Sequence, residues 1–150
     1  MRALVRRVSY AEVKVASETV GTIANGLLVY LGIHRDDDNS DLDWVVKKVL
    51  GLRVFTDESG KMNLKLGPQQ GVLLISQFTL WGNLKKGYRP SFNEAADPQK
   101  GELLYKLALE KLQKSFSGKV NSGIFGADMK IHAVDDGPVT IWIDSQNRNY

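Results

Sequence analysis

Only two segments of this chain have the periodicity of a helix, and nearly every other regular segment has the pattern of a β-strand. A loop of acidic and capping residues, 36–40, which we expect to be solvated, precedes the first helix. Asp97 and Pro98 begin the second helix as N-cap and first helical residue. The predicted apolar faces are Leu42, Val45, Val46, Val49 and Leu50 in the first helix, and Leu103, Leu104, Leu107, Ala108 and Leu112 in the second.

Strands are predicted where β-branched residues, alternation or apolar runs are bounded by turn residues. They cover residues 3–8, 11–15, 19–23, 27–33, 52–55, 72–75, 129–134 and 139–144, and residues 62–66 form either a short strand or a loop. We expect the last two to pair through a turn at residues 135–138, and residues 81–96 to form a loop. The absence of regular strand–helix alternation excludes a doubly wound sheet, and predicts one mixed α/β domain over residues 1–150 with two principal helices.

Composition and the lack of cysteine narrow the class of protein. Hydrophobic residues make up 43% and charged residues 25% of 150 residues, as in soluble globular domains. Without cysteine there is no disulfide, thiol nucleophile or thiolate metal site, and two distant histidines argue against a histidine-rich metal centre. No apolar run has the length of a membrane span, and the N-terminal segment lacks a signal peptide's apolar core. We therefore expect a cytoplasmic protein with no membrane partner.

A polar stretch follows the apolar strand in GVLLISQFTLWG, residues 71–82. Ser76 and Thr79 offer hydroxyls, but a hydroxyl is a weak nucleophile without a base, and no histidine or lysine lies nearby in sequence. Structural hydroxyls that close a strand end account for both residues. Alternatively, main-chain N–H groups at this strand end point together at one oxygen and form an oxyanion hole.

Two further segments also have two interpretations each. Gly137-Pro138 is either a common turn or a cis peptide, whose rigid carbonyls test the shape of a ligand. Lys85, Lys86 and Arg89 alternate with aromatic residues, a pattern that can hold phosphates and stack on bases, although a solvated basic loop is the more common reason for such a pattern. A net charge of +3 and a pI of 9.1 permit a nucleic-acid partner. The acidic runs 36–38 and 135–136 do not match calcium-loop spacing, so no metal is expected.

Several segments together resemble the D-aminoacyl-tRNA deacylases, formerly called D-tyrosyl-tRNA deacylases. SQFTL, residues 76–80, and DGPVT, residues 136–140, are similar to the two family motifs. MRALVRRVSYAEVKV, GLLVYLGI, GYRPSF and GIFGADM match in kind and order, so the resemblance covers essentially the whole chain. Asp135 departs from the family, since the second motif usually begins with Asn; the change affects a local hydrogen bond and the pH dependence of the loop.

The resemblance implies a homodimer with a mostly antiparallel, barrel-like sheet that hydrolyses the ester between a D-amino acid, or mischarged glycine, and the 3′ end of tRNA. It implies that Gly137 and Pro138, joined by a cis bond, enter the partner subunit's active site, where their carbonyls hold the substrate amino group and exclude L side chains. We expect neither a cofactor nor a metal. An RNA-binding module without activity and a small esterase with Ser76 as nucleophile are the alternatives.

The resemblance also implies a role for each candidate residue of the pocket. Main-chain groups of residues 76–79 face the scissile carbonyl, with either Thr79 as nucleophile or assistance from the tRNA 2′-hydroxyl. Because Thr79 has no evident base, we favour the second. The candidate residues are Ser76, Gln77, Phe78 and Thr79 for catalysis, Gly137 and Pro138 for chirality, and Lys85, Lys86, Arg89 and Phe125 for pocket or tRNA contact.

Overall fold

A computed structural model describes residues 1–149 and contains eight strands and two α-helices. The helices are α1 (Asn39–Gly51) and α2 (Pro98–Ser115), and a short 3-10 helix at Phe78–Trp81 follows the sixth strand. The strands are β1 (Arg2–Val15), β2 (Glu18–Ile23), β3 (Gly26–Gly32), β4 (Phe55–Thr56), β5 (Met62–Leu64), β6 (Gly71–Ser76), β7 (Lys119–Ser122) and β8 (Lys130–Asp144). No helix in this part of the chain is long and apolar enough to cross a membrane.

The long strand β1 organises the main sheet. β3 pairs with its first half, β2 with its second half, and β8 with almost its whole length, all antiparallel. β6 lies parallel to β3, and β7 lies parallel to β6. The sheet curls until β2 and β7 meet, where the Asn121 side-chain amide donates to the Thr22 carbonyl at 2.7 Å. This nearly closed, barrel-like sheet with two helices confirms the expected fold.

Apolar side chains form two cores, one inside the curl of the sheet and one between the sheet and the helices. The alternation of strand side chains between the two faces produces this division. The inner core contains Val8, Ala11, Val13, Ile23, Leu28, Leu73 and Ile75. The outer core includes Leu27, Val29, Leu31 and Leu74 from the sheet, and Leu42, Val45, Val49, Leu104, Ala108 and Leu112 from the helices.

The helix starts were predicted correctly, but the acidic loop before α1 is not entirely solvated. The Asp38 carboxylate accepts hydrogen bonds from the Ser40 and Asp41 N–H groups and forms a capping box with Asp41. Asp37, however, is buried, and its carboxylate contacts the Met1 amino group at 2.5 Å and the His34 N–H at 2.6 Å. A carboxylate can be buried here because a cation and a hydrogen-bond donor compensate it.

Two predicted strand pairs are single strands. Residues 3–8 and 11–15 both belong to β1, because pairing with β8 continues across them with shifted register. Residues 129–134 and 139–144 were predicted to form a hairpin, which is wrong. Both halves belong to β8 and pair with the same strand, so residues 136–139 form a bulge rather than a reversal of the chain.

Smaller differences affect the short strands. The strand predicted at residues 52–55 is only Phe55–Thr56, and it pairs with Met62–Leu64. β7 was missed, because Lys119–Ser122 has a mixed polar composition without alternation. Its partner β6 supplies the hydrogen bonds that keep it in the sheet.

Leu103 was wrongly predicted to lie on the buried face of α2; its side chain is 59% exposed, whereas Leu104 is 5% exposed. Tyr105 occupies that face instead, and its hydroxyl donates to the Leu74 carbonyl at 2.8 Å.

Leu104→Ala should therefore lower the free energy of unfolding by about 2–5 kcal/mol, because it leaves a cavity. The neighbouring control Leu103→Ala should change it by less than about 0.5 kcal/mol. Urea unfolding of both variants would test this, and equal destabilisation would contradict the assignment of the buried face.

Candidate active site

The polar segment after β6 lies at the carboxyl end of two parallel strands. Ser76 is the last residue of β6 and pairs with Leu31 of β3. The Gln77 N–H donates to the Leu31 carbonyl at 2.8 Å, and the buried Trp81 indole donates to the Gly32 carbonyl at 3.1 Å. The chain is thus anchored to β3 before and after the turn of 3-10 helix.

Two adjacent main-chain donors are available at the start of this turn. The first N–H groups of a helix have no acceptor within it. The Leu80 N–H donates to the Gln77 carbonyl at 3.2 Å, but the N–H groups of Phe78 and Thr79 have no acceptor within residues 1–149. Both residues are exposed, so these donors can reach an oxygen of a bound molecule.

The hydroxyls of Ser76 and Thr79 have no base beside them. Neither hydrogen-bonds to a histidine, lysine or carboxylate among the described residues, and the Thr79 Oγ1 accepts from the Gln77 side-chain amide at 2.5 Å. The His34 ring packs against Trp81 at an angle of 53°, with ring centroids 4.4 Å apart, and its Nδ1 accepts from the Asp36 N–H at 3.1 Å. Both hydroxyls therefore lack the partner that a nucleophile requires.

Tyr105 is the titratable side chain that packs behind the aromatic wall of the site. Burial raises the pKa of Tyr105 to about 12, and its ring lies 5.7 Å from that of Phe125. The phenol stays protonated at neutral pH, because its pKa lies far above 7, so Tyr105 supports the wall and does not act as a base.

A cavity of about 530 Å³ opens beside the end of β6. Ser76, Gln77 and Phe78 form part of its wall, and Phe125 packs against Gly101 on another side. Thr79 is absent from the wall. The remaining lining residues are mostly apolar: Leu31, Ile33, Ile75, Phe92, Ala95, Ala96, Pro98, Gly126, Ala127, Met129 and Ile131. Sequence reasoning missed Phe92 as a wall residue, although it ends the quoted GYRPSF segment.

Gly137 and Pro138 lie outside this cavity, in the bulge of β8. Their peptide bond is cis, as the resemblance implied. Arg7 Nε donates to the Asp136 carbonyl at 3.0 Å and pairs with the Asp136 carboxylate at 3.1 Å. Arg7 itself is buried and also donates to the Val54 carbonyl, which ties the bulge to the body of the domain.

A second arginine binds the other acidic residue of this segment. The Arg6 guanidinium contacts both carboxylate oxygens of Asp135, at 2.9 and 2.8 Å, and this hydrogen bonding raises the pKa of Arg6. Asp135 therefore makes a bidentate ion pair in the place where the family motif usually has Asn. Sequence reasoning missed Arg6 and Arg7. The available sign was that the two arginines are adjacent in a predicted strand. Because neighbouring strand residues point to opposite faces, one of them has to lie on the buried face.

The three basic candidates lie on the exposed loop between Asn83 and Ser91 and not in the cavity wall. The structure thus brings Ser76, Gln77, Phe78 and Phe125 together and leaves Lys85, Lys86 and Arg89 outside. No group of three or more histidine, aspartate or glutamate side chains within residues 1–149 is arranged to hold a metal ion.

Comparison with known proteins gives one family. The model of the D-Tyr-tRNA(Tyr) deacylase family matches residues 4–144. The D-aminoacyl-tRNA deacylase of Thermotoga petrophila is 52% identical over 97% of both chains, and that of Kosmotoga olearia is 48% identical over 99% of both.

Two solved structures have the same fold. A structure described as a c-Myc DNA unwinding element binding protein is similar with a TM-score of 0.90 and 40% identity, covering 96% of this chain and 98% of that one. A probable eukaryotic D-amino acid tRNA deacylase has a TM-score of 0.79 over 95% and 97% of the two chains, and at 18% identity supports the fold alone. With a family match over 141 of its residues, 4–144, and relatives of this identity over nearly its whole length, the chain belongs to the D-Tyr-tRNA(Tyr) deacylase family.

Proposed function

We propose that this protein is a D-aminoacyl-tRNA deacylase, which hydrolyses the ester between a D-amino acid and the 3′ end of tRNA. Curated relatives that bear this name cover nearly the whole chain at about half identity. The observation that carries the chemistry is the pair of N–H groups, on Phe78 and Thr79, at the edge of an apolar cavity. Such a pair is what acyl transfer requires, because negative charge develops on the ester carbonyl oxygen.

The proposed reaction uses these donors as an oxyanion hole. Water attacks the ester carbonyl carbon, the tetrahedral oxyanion accepts hydrogen bonds from the Phe78 and Thr79 N–H groups, and the 3′ oxygen leaves. One oxyanion donor typically contributes about 3 kcal/mol to stabilisation of the transition state. The 2′-hydroxyl of the terminal adenosine relays the proton from the attacking water to the departing 3′ oxygen. This assignment follows from the missing base beside Ser76 and Thr79.

The aromatic part of the cavity suits the base of the terminal adenosine. Phe92 and Phe125 contribute to a wall that is otherwise mainly aliphatic. Unstacked bases bind to aromatic side chains in this way, and the sugar then lies toward the polar wall formed by Ser76 and Gln77. We propose that the ester is placed at the oxyanion donors by this stacking.

A second copy of the chain completes the proposed site. Gly137 and Pro138 lie outside the cavity of their own chain, on a strand whose only described partner is β1. Among residues 1–149 no second strand pairs with the other edge of β8, which carries the exposed side chain of Val134. A long open edge invites pairing with another chain. In a homodimer the partner's Gly137-Pro138 carbonyls hold the substrate amino group and collide with an L side chain.

Glycine lacks a side chain, so the same pocket accepts glycyl-tRNA. The place of action that we propose is the cytoplasm, where aminoacylated tRNA is found.

A deacylation assay with both enantiomers tests the proposed function. We expect the protein to hydrolyse D-Tyr-tRNA rapidly and to leave L-Tyr-tRNA at its spontaneous rate. Binding of both tRNAs without hydrolysis of either would instead identify an RNA-binding module. A small esterase with Ser76 as nucleophile would be labelled at Ser76 by a serine-directed covalent probe, and we expect no such label.

A further inference from the structure

Between Phe78 and Phe92, two of the three phenylalanines that line the cavity, the chain projects as a small closed loop, here called the tip loop, residues 84–90. The main chains of Asn83 and Ser91 exchange hydrogen bonds of 2.8 and 3.0 Å and close its base. The Lys85 N–H donates to the Asn83 side chain at 2.9 Å, and the Gly87 N–H donates to the Leu84 carbonyl at 3.2 Å. These bonds fix the loop internally while its side chains stay exposed.

The tip loop carries positive charge that no carboxylate compensates. Lys85, Lys86 and Arg89 form no ion pair with the described residues, and no acidic residue occurs between Glu58 and Glu94. Several arginines elsewhere in the described chain do pair with an aspartate, among them Arg2, Arg6, Arg7 and Arg148. Three neighbouring cations without a carboxylate partner attract phosphates.

An aromatic ring stands uncovered among these cations. Tyr88 is fully exposed at 103% of the reference area, and none of the ring or cation contacts in the described chain involves it. The tip loop lies between two residues of the cavity wall, Phe78 and Phe92, whose ring centroids are 5.1 Å apart in an edge-on contact. The base of the tip loop therefore adjoins the cavity wall, because Ser91 is followed directly by Phe92.

We propose that the tip loop binds the single-stranded nucleotides that precede the terminal adenosine of tRNA. Tyr88 stacks on one of their bases, and Lys85, Lys86 and Arg89 contact the phosphates. A single strand is the partner that fits, because a duplex buries the base faces that an aromatic ring needs. The inference rests on the proposed function, since that function places the terminal adenosine in the adjoining cavity.

Substrates of different length isolate the contribution of the tip loop. Tyr88→Ala should raise KM for D-Tyr-tRNA about tenfold or more with little change in kcat. The same variant should match the wild type on 3′-O-D-tyrosyl adenosine, which has no preceding nucleotide. Tyr88→Phe keeps a stacking ring and should behave like the wild type. Leu84→Ala removes an exposed apolar side chain from the same loop and should also have no effect.

The phosphate contacts are tested by the dependence of kcat/KM on salt. The slope of log kcat/KM against log salt concentration is expected to be negative. Lys86→Ala should make it less steep by about 0.7, the value for one phosphate contact on a single strand. Lys119→Ala is the matched control, because Lys119 lies beside Gly71 at the opposite end of β6 from Ser76. It should leave the slope unchanged.

Several results would overturn the inference. One is an unchanged KM for D-Tyr-tRNA in Tyr88→Ala. Another is that Tyr88→Ala loses as much activity on 3′-O-D-tyrosyl adenosine as on D-Tyr-tRNA. The third is a change in the oligomeric state of Tyr88→Ala, measured by light scattering, which would make the tip loop a subunit contact. Failure of the proposed function is distinguishable, because the wild-type protein would then hydrolyse neither substrate.

Discussion

Gly137→Ala should lower kcat/KM for D-Tyr-tRNA by about tenfold or more and reduce the preference for D-Tyr-tRNA over L-Tyr-tRNA. Gly137 has a φ of +124°, and an added Cβ would lie 2.9 Å from Val139 Cγ2 and 3.0 Å from Arg7 Nη2. A side chain in sparsely populated backbone regions costs about 1–3 kcal/mol, so the bulge must move. Its carbonyls then no longer hold the amino group or exclude an L side chain. Rates with both enantiomers measure the effect.

Gly60→Ala is the matched control for backbone strain. Gly60 also has a positive φ, +78°, but an added Cβ would meet no atom within 4 Å, and the residue lies before β5, outside the cavity wall. This variant should lose some stability and keep both rates. If Gly137→Ala preserved the D-over-L preference of the wild type, the bulge would have no role in chirality.

A tRNA that ends in 2′-deoxyadenosine should be deacylated at least about a hundredfold more slowly than the normal substrate. The reason is that proton transfer by a positioned group typically raises a reaction rate by a factor of about 10²–10⁴. Thr79→Ala should keep its rate within about threefold, because the Thr79 hydroxyl only accepts a hydrogen bond from Gln77 and the proposed donor is its main-chain N–H. Single-turnover rates with both tRNAs separate the two contributions.

The alternative assignment gives the opposite pattern. A nucleophilic threonine would make Thr79→Ala inactive although it folds and binds tRNA normally, and would leave the 2′-deoxy substrate fast. Ser76→Ala is the companion variant, because its hydroxyl also lacks a base. We expect it to remain active as well.

Local sequence patterns predicted the parts of the fold that local interactions determine. Asp38 and Asp97 cap their helices as expected, because capping depends on residues only two or three positions away. The β8 hairpin was wrongly predicted because Gly137-Pro138 has the composition of a turn, whereas pairing with β1 keeps the strand running in one direction. Such pairing depends on residues more than a hundred positions away, and no local pattern contains it.

The site was predictable only where it depends on local sequence. Ser76, Gln77 and Phe78 could be proposed from the change of polarity at one strand end, and the structure places them in one cavity wall. The contacts of Arg6 with Asp135 and of Arg7 with Asp136 join distant segments, so their partners could not be derived from spacing. The roles proposed for Gly137 and Pro138 come from the family resemblance and stay predictions.

The central claim is that each active site combines the cavity of one subunit with the Gly137-Pro138 bulge of the other. It can be tested with a heterodimer of one Gly137→Ala subunit and one Ala127→Trp subunit, purified by two tags. Ala127→Trp fills the cavity at one of its lining residues, so its homodimer should be nearly inactive, and the Gly137→Ala homodimer should keep about a tenth of the wild-type rate or less.

If the site is shared, the heterodimer contains one site with both parts intact and should hydrolyse D-Tyr-tRNA at about half the wild-type rate per dimer. If each chain forms its whole site alone, both sites of the heterodimer are damaged, and its rate should stay as low as that of the homodimers. That second result would contradict the account.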